Sequence, residues 1–96
     1  MLYRILFLAA FLAVAANSQA AVHLKQQADA LKAKGDAAGA LALAERAAAA
    51  DPKSAGLEDE VGFLLAVLQR GAEAKPHFER ALQLDPNLAA RARVRG

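Results

Sequence analysis

A fixed spacing of 34 residues between two similar segments is the feature of this sequence that most constrains its fold. The Glu-Arg-Ala at 45–47 matches the one at 79–81, and the Asp-Pro at 51–52 matches the one at 85–86, all at this offset. Two unrelated alanine-rich helices would not share these matches in one register. The spacing therefore indicates an internal repeat, which is the sequence signature of stacked supersecondary units.

Each repeat unit divides into two predicted helices. In the first unit, residues 24–31 place apolar side chains on one helical face, and Gly35 can take the left-handed conformation that ends a helix. Asp36 is the predicted N-cap of the second helix, because its carboxylate can accept from free backbone N–H groups. That helix is expected to run to about Ala50, since Pro52 cannot continue it.

The second unit repeats this plan with larger apolar residues. Ser54 is the predicted N-cap of the third helix, Gly71 is the predicted turn, and Pro76 is expected in the first turn of the fourth helix, where few N–H groups are bonded internally. The predicted fold is all-α, with tandem helix-turn-helix repeats forming a short α-solenoid. The residues predicted to face inward are Leu57, Val61, Leu64, Leu65 and Leu68 on the first helix of this unit, and Phe78, Ala81 and Leu82 on its second.

Two helices, a short turn, a 34-residue period and a terminal Asp-Pro resemble the tetratricopeptide repeat. The resemblance places one repeat at 21–54 and a second at 55–88. The small residue that the family carries in the middle of its first helix falls on Ala28 and Gly62. The aromatic of its second helix falls on Phe78 in the second unit, but on Ala44 in the first.

The first twenty residues differ from the repeats. Arg4 precedes an apolar run of 12 residues at 5–16, and Ser18 and Ala20 have the small side chains and the spacing that signal peptidase requires. This pattern predicts a signal peptide at 1–20 and an exported, periplasmic protein. The alternative is a membrane anchor formed by an uncleaved leader, although a spanning helix usually takes about 20 apolar residues.

Neither the composition nor the residue types point to an enzymatic activity. The formal net charge is +2 and there is no cysteine, so neither a nucleic-acid surface nor a thiolate metal site is predicted. His23 and His77 lie in different units, and no catalytic, cofactor-binding or metal residues are predicted. The cluster at 58–60 is acidic and is expected to complement the dipole of the helix that it begins. The tail at 89–96 is basic and is predicted to be solvated, with a short capping helix as an option.

The resemblance also implies a site and a class of function. Ligands of tetratricopeptide repeats lie in a groove lined by the first helix of each unit, which implies a non-enzymatic scaffold of the bacterial cell envelope that binds a peptide or helix of a partner protein. The alternative is a structural subunit that self-associates or stacks on a larger complex through its exposed repeat end, since repeat arrays usually need at least about three units. By register, the groove is lined by Lys25, Asp29, Lys32, Asp59, Phe63 and Val67.

Overall fold

The computed structural model describes residues 19–88, and this part of the chain is built from helices. Helix α1 occupies residues 19–33 of the described range, followed by α2 (Ala37–Ala50), α3 (Ala55–Val67) and α4 (Gly71–Leu84). α1 with α2, and α3 with α4, form two consecutive helix-turn-helix units, and α3 packs against both α2 and α4. The predicted all-α fold of tandem helix-turn-helix repeats is confirmed. The predicted tail at 89–96 lies outside the described range. So does the predicted leader at 1–20, except for residues 19 and 20, which belong to α1.

The predicted starts of α2 and α3 are confirmed by their capping hydrogen bonds. The backbone N–H of Gly39 donates to Asp36 Oδ1 at 2.9 Å, so Asp36 caps α2. The N–H of Leu57 donates to Ser54 Oγ at 3.3 Å, so Ser54 caps α3. Each cap satisfies a backbone donor that the first turn of a helix leaves without an intrahelical acceptor. Local side-chain chemistry therefore sets where these two helices begin.

The turns inside the two repeats share one backbone motif. After α1, Gly35 has φ +85°, and the N–H of Asp36 donates to the carbonyl of Leu31 at 2.9 Å. After α3, Gln69 has φ +64°, and the N–H of Arg70 donates to the carbonyl of Leu65 at 2.8 Å. Both are Schellman motifs, in which the residue after the helix is left-handed.

The prediction that Gly71 forms the second turn is wrong. Gly71 is the first residue of α4, and the left-handed position belongs to Gln69, which follows Gly35 by one repeat period of 34 residues. The prediction chose Gly71 because glycine takes the left-handed conformation most easily. The 34-residue repeat period, counted from Gly35, gives the correct position, Gln69.

Gln69→Gly is expected to raise the free energy of unfolding by about 0.5–1 kcal/mol. The left-handed conformation costs a residue with a Cβ about 1–2 kcal/mol, and the greater freedom of glycine in the unfolded chain offsets part of the gain. The measurement is a thermal melt followed by circular dichroism. Gly35→Ala is the matched control in the first repeat and is expected to lower the melting temperature. A lower melting temperature for Gln69→Gly would contradict the assigned turn.

Pro76 lies deeper in its helix than predicted. It is the sixth residue of α4, in the second turn rather than the first. Proline has no N–H, so the carbonyl of Ala72 receives no helical hydrogen bond from this position. The prediction placed the start of α4 too late because it assigned Gly71 to the turn.

The core of the first repeat is mostly alanine, with Leu41 also buried, and the core of the second is mostly leucine and valine, with Ala74 and Ala81 also buried. Ala81 is fully buried as predicted, and Phe78 and Leu68 are half-buried against the core. The prediction that Leu82 faces inward is wrong, because its side chain lies on the flank of α4 and is 44% exposed. The buried apolar side chains of α3 match the predicted stripe: they are Leu57, Val61, Leu64 and Leu65.

A close approach of α3 and α4 depends on the absence of a side chain at position 62. A Cβ built on Gly62 would lie 2.7 Å from Cε1 of Phe78 and 2.8 Å from its Cδ1. The aromatic ring therefore packs directly on the glycine backbone. In the first repeat, the counterparts Ala28 and Ala44 are each 1% exposed, so two small residues achieve the same close packing there.

Candidate functional site

The predicted groove residues form one surface across the first helices of the two repeats. We call it the α1–α3 face. Its α1 members and its α3 members each recur at intervals of three or four residues, which places each set along one side of its helix. Lys32 joins the two sets, because its Nζ lies 5.7 Å from the centroid of the Phe63 ring. The α1–α3 face comprises Lys25, Asp29, Lys32, Asp59, Phe63 and Val67.

Both lysines of this face are engaged with carboxylates of the protein itself. Lys25 Nζ donates to Asp29 Oδ2 at 2.9 Å, and Lys32 Nζ donates to Glu60 Oε1 at 2.8 Å. Lys32 Nζ also lies 4.0 Å from the second carboxylate oxygen of Asp29. Asp59 takes part in a polar interaction as well. A ligand carboxylate would have to displace these partners, so the face is not built to clamp one.

The Lys32–Glu60 pair bridges α1 and α3 and depends on pH. The hydrogen bond from Lys32 to Glu60 raises the pKa of Lys32 above its ordinary value of 10.5, partial burial opposes this, and the charges of Glu60 and Asp29 add to it. A raised folded-state pKa means that the charged lysine is favoured by folding. The contribution to stability is therefore present at neutral pH and is lost as the pH rises through the raised pKa.

Two apolar side chains of the α1–α3 face are half exposed. Phe63 is 49% exposed and Val67 is 50% exposed, one turn apart on α3. Val22, which sequence reasoning left out of the groove, is 58% exposed on α1 and precedes Lys25 by three residues, so it continues the same stripe. Large apolar side chains gathered on one exposed surface are typical of contact sites.

Glu60 is the other residue that sequence reasoning missed. It lies beside the α3 stripe rather than on it, and it joins the face only because the long side chain of Lys32 reaches across from α1. Spacing along one helix carries no signal for such a contact. Val22 differs, since its interval of three residues from Lys25 was visible in the sequence.

A second polar cluster lies on the α4 side of α3, around Glu58. Glu58 is only 7% exposed, and its two carboxylate oxygens face different partners. Nδ1 of His77 lies 2.8 Å from Glu58 Oε2, and Nε of Arg80 lies 3.3 Å from Glu58 Oε1. Nη2 of Arg80 also donates to the backbone carbonyl of Pro52 at 3.3 Å. The cluster ties α4 to α3 and to the turn between the repeats.

This cluster adds to the prediction for the acidic residues at 58–60. Glu58 lies in the first turn of α3, as predicted, and it is also buried and in contact with two basic side chains from α4. His77 is a half-buried partner of Glu58, and His23 is exposed on α1. The carboxylate at position 58 thus also contributes to the packing between α3 and α4.

Two further observations concern the described residues. Between residues 19 and 88, no group of three or more His, Cys, Asp or Glu side chains is arranged to hold a metal ion. Within the same range, no helix has both the length and the apolar character to cross a membrane.

No protein-family model matches the chain, and no curated protein matches it by sequence. A functional conclusion therefore rests on the geometry and on the sequence pattern.

Proposed function

We propose that this protein is a non-enzymatic, protein-binding scaffold, a short tetratricopeptide-like array that holds a peptide or helix of a partner protein on its α1–α3 face. The observation that carries the proposal is the half exposure of Phe63 and Val67 on this face. The leader-like pattern at 1–20 supports export, and we place the protein in the bacterial cell envelope on that ground.

The apolar pair stands on a rigid support. Val61 and Leu64 of the same helix are fully buried in the core, so the α3 backbone that carries Phe63 cannot easily yield. A rigid helix loses little conformational entropy on binding, and aromatic side chains are enriched among the residues that dominate binding energy. An amphipathic helix or peptide that inserts apolar side chains between α1 and α3 would bury Phe63 and Val67 together.

The internal ion pairs favour a particular kind of partner. Lys25 and Lys32 already have carboxylate partners, so an anionic ligand would gain little affinity from them. A ligand held by these lysines would also make no use of the exposed ring of Phe63. The partner is therefore a segment anchored by apolar side chains. We expect its affinity to depend weakly on salt, because exposed charge pairs contribute little to binding by apolar contact.

The test is affinity capture of a tagged full-length chain in the organism that makes it. A double variant, Phe63→Ser with Val67→Ser, is expected to recover the partner at least about tenfold less than the unmodified chain, since two apolar contacts are lost. Leu84→Ser is the matched control, because Leu84 is 37% exposed but lies on α4. Unchanged recovery by the double variant, with an unchanged thermal melt, would refute the α1–α3 face as the binding site.

A further inference from the structure

The ammonium group of Lys32 lies beside the exposed ring on which the proposed binding surface depends. Its Nζ is 5.7 Å from the centroid of the Phe63 ring, which is within the range of a cation–π contact. Phe63 is 49% exposed, and the side chain of Lys32 is 40% exposed. A free cation next to an exposed ring would favour an amphipathic anion, because the cation binds the anionic group and the ring contacts the apolar part.

Glu60 keeps Lys32 from binding such a ligand. Glu60 Oε1 accepts a hydrogen bond from Lys32 Nζ at 2.8 Å, and the glutamate side chain is only 18% exposed. Asp29 Oδ1 lies 4.0 Å from the same ammonium group. The hydrogen bond to Glu60 is also the largest cause of the raised pKa of Lys32. An anion that approaches Phe63 therefore has to displace Glu60 from Lys32 and to lie close to two carboxylates of the protein.

The carboxylate at position 60 belongs to the second repeat alone. One repeat period earlier, the chain has the uncharged Gln26, which is exposed on α1. The pairing of helices that the two repeats share therefore requires no carboxylate at this position. Glu58 differs, because it is buried and its partners lie on α4. Glu60 instead reaches across to Lys32 of the first unit, beside the α3 stripe of the α1–α3 face.

We infer that Glu60 determines the ligand specificity of the α1–α3 face, because it holds Lys32 and so disfavours anionic groups beside Phe63. The inference rests on the proposed function, since it describes the ligand of the same face. Discrimination of this kind comes from an unfavourable contact with the wrong ligand. The partner segment is one whose apolar side chains have no carboxylate beside them, neither from a neighbouring acidic residue nor from a free C-terminus.

The test compares two small probes that share an aromatic ring and differ in charge, phenylacetate and phenylacetamide. Binding to the full-length chain is measured by nuclear magnetic resonance, from the shifts of the backbone amides around Phe63. Glu60→Gln keeps the size of the side chain and removes its charge. It is expected to raise the affinity for phenylacetate, relative to that for phenylacetamide, by about three- to fivefold, because it releases an exposed ion pair.

Two controls assign the effect to Lys32. Glu79→Gln removes one negative charge from an exposed position on α4 and is expected to leave the affinity ratio unchanged. Lys32→Met combined with Glu60→Gln is expected to remove the gain for phenylacetate, because the ammonium group beside Phe63 is gone. An unchanged ratio for Glu60→Gln, or no binding of phenylacetate to this variant, would overturn the inference.

The probe experiment and the capture experiment fail separately. If the double variant at Phe63 and Val67 leaves partner recovery unchanged, the proposed function fails whatever the probes show. If capture depends on these two residues but the affinity ratio does not respond to Glu60→Gln, the face binds its partner without this discrimination. In that case only the inference about Glu60 is overturned.

Discussion

Gly62→Ala is expected to lower the free energy of unfolding by about 1–2 kcal/mol, although alanine is the better helix former by about 1 kcal/mol. The reason is the ring of Phe78, three atoms of which would lie within 3.0 Å of the added Cβ. The ring must move away from α3, and the contact that closes the second repeat is lost. Chemical denaturation followed by circular dichroism measures the change.

The matched control for this substitution lies on the same helix. Gly56→Ala adds a Cβ whose nearest neighbour is Ser54 Oγ at 3.9 Å, so nothing has to move. It is expected to raise the free energy of unfolding by up to about 1 kcal/mol through helix propensity. Gly62→Ala combined with Phe78→Leu is expected to recover part of the loss. A stabilising effect of Gly62→Ala equal to that of Gly56→Ala would contradict the packing described for Phe78.

The close packing of the first repeat also leaves no room for a larger side chain. Ala44, the counterpart of Phe78, is 1% exposed, so a larger side chain finds no gap to fill. Ala44→Phe is therefore expected to destabilise the protein by overpacking. Adding Ala28→Gly recreates the glycine and aromatic pair of the second repeat and is expected to restore part of the stability in the same melt.

The second large effect concerns the partners of the buried carboxylate. His77→Ala combined with Arg80→Ala is expected to lower the free energy of unfolding by about 2–3 kcal/mol, because Glu58 then stays buried without a charged partner. Glu58→Leu is expected to change it by less than about 1 kcal/mol. That variant removes the buried charge and leaves His77 and Arg80 with side chains 37% and 54% exposed to water.

The first repeat supports the expectation that an apolar residue is tolerated at the position of Glu58. Leu24 occupies the position of Glu58 there, and it packs against the core as a partly buried residue. Arg46→Ala is the control for loss of an arginine, since Arg46 is the exposed counterpart of Arg80 on α2. A larger loss in the free energy of unfolding from Glu58→Leu than from the His77→Ala and Arg80→Ala double variant would contradict this expectation. It would show that the carboxylate itself stabilises the packing.

The sequence predicted the helices and the starts of α2 and α3 because these depend on local chemistry. Asp36 and Ser54 accept backbone hydrogen bonds within three residues of themselves, and Pro52 blocks a helix wherever the chain lies in space. The repeat period added the pairing of helices, because each helix pair needs a neighbour on which to bury its apolar face. These features fixed the class of fold and the register of the α1–α3 face.

The features that sequence reasoning missed depend on contacts between helices. Burial of Glu58 needs two basic side chains from α4, which no spacing on α3 reveals. Leu82 is exposed because the inner side of α4 is filled by Ala74, Phe78 and Ala81, leaving it on the flank. The left-handed Gln69 shows that backbone geometry imposed by the repeat can override the preference of a single residue for a turn.

The most direct test of the central claim is photo-crosslinking from the α1–α3 face in living cells. A photoreactive amino acid replaces Phe63 in the full-length chain, and Glu45, which is exposed on α2, is replaced in the control. We predict one discrete adduct with another protein from position 63 and none from position 45. No adduct at position 63, or an equal adduct at both positions, would contradict binding at this face.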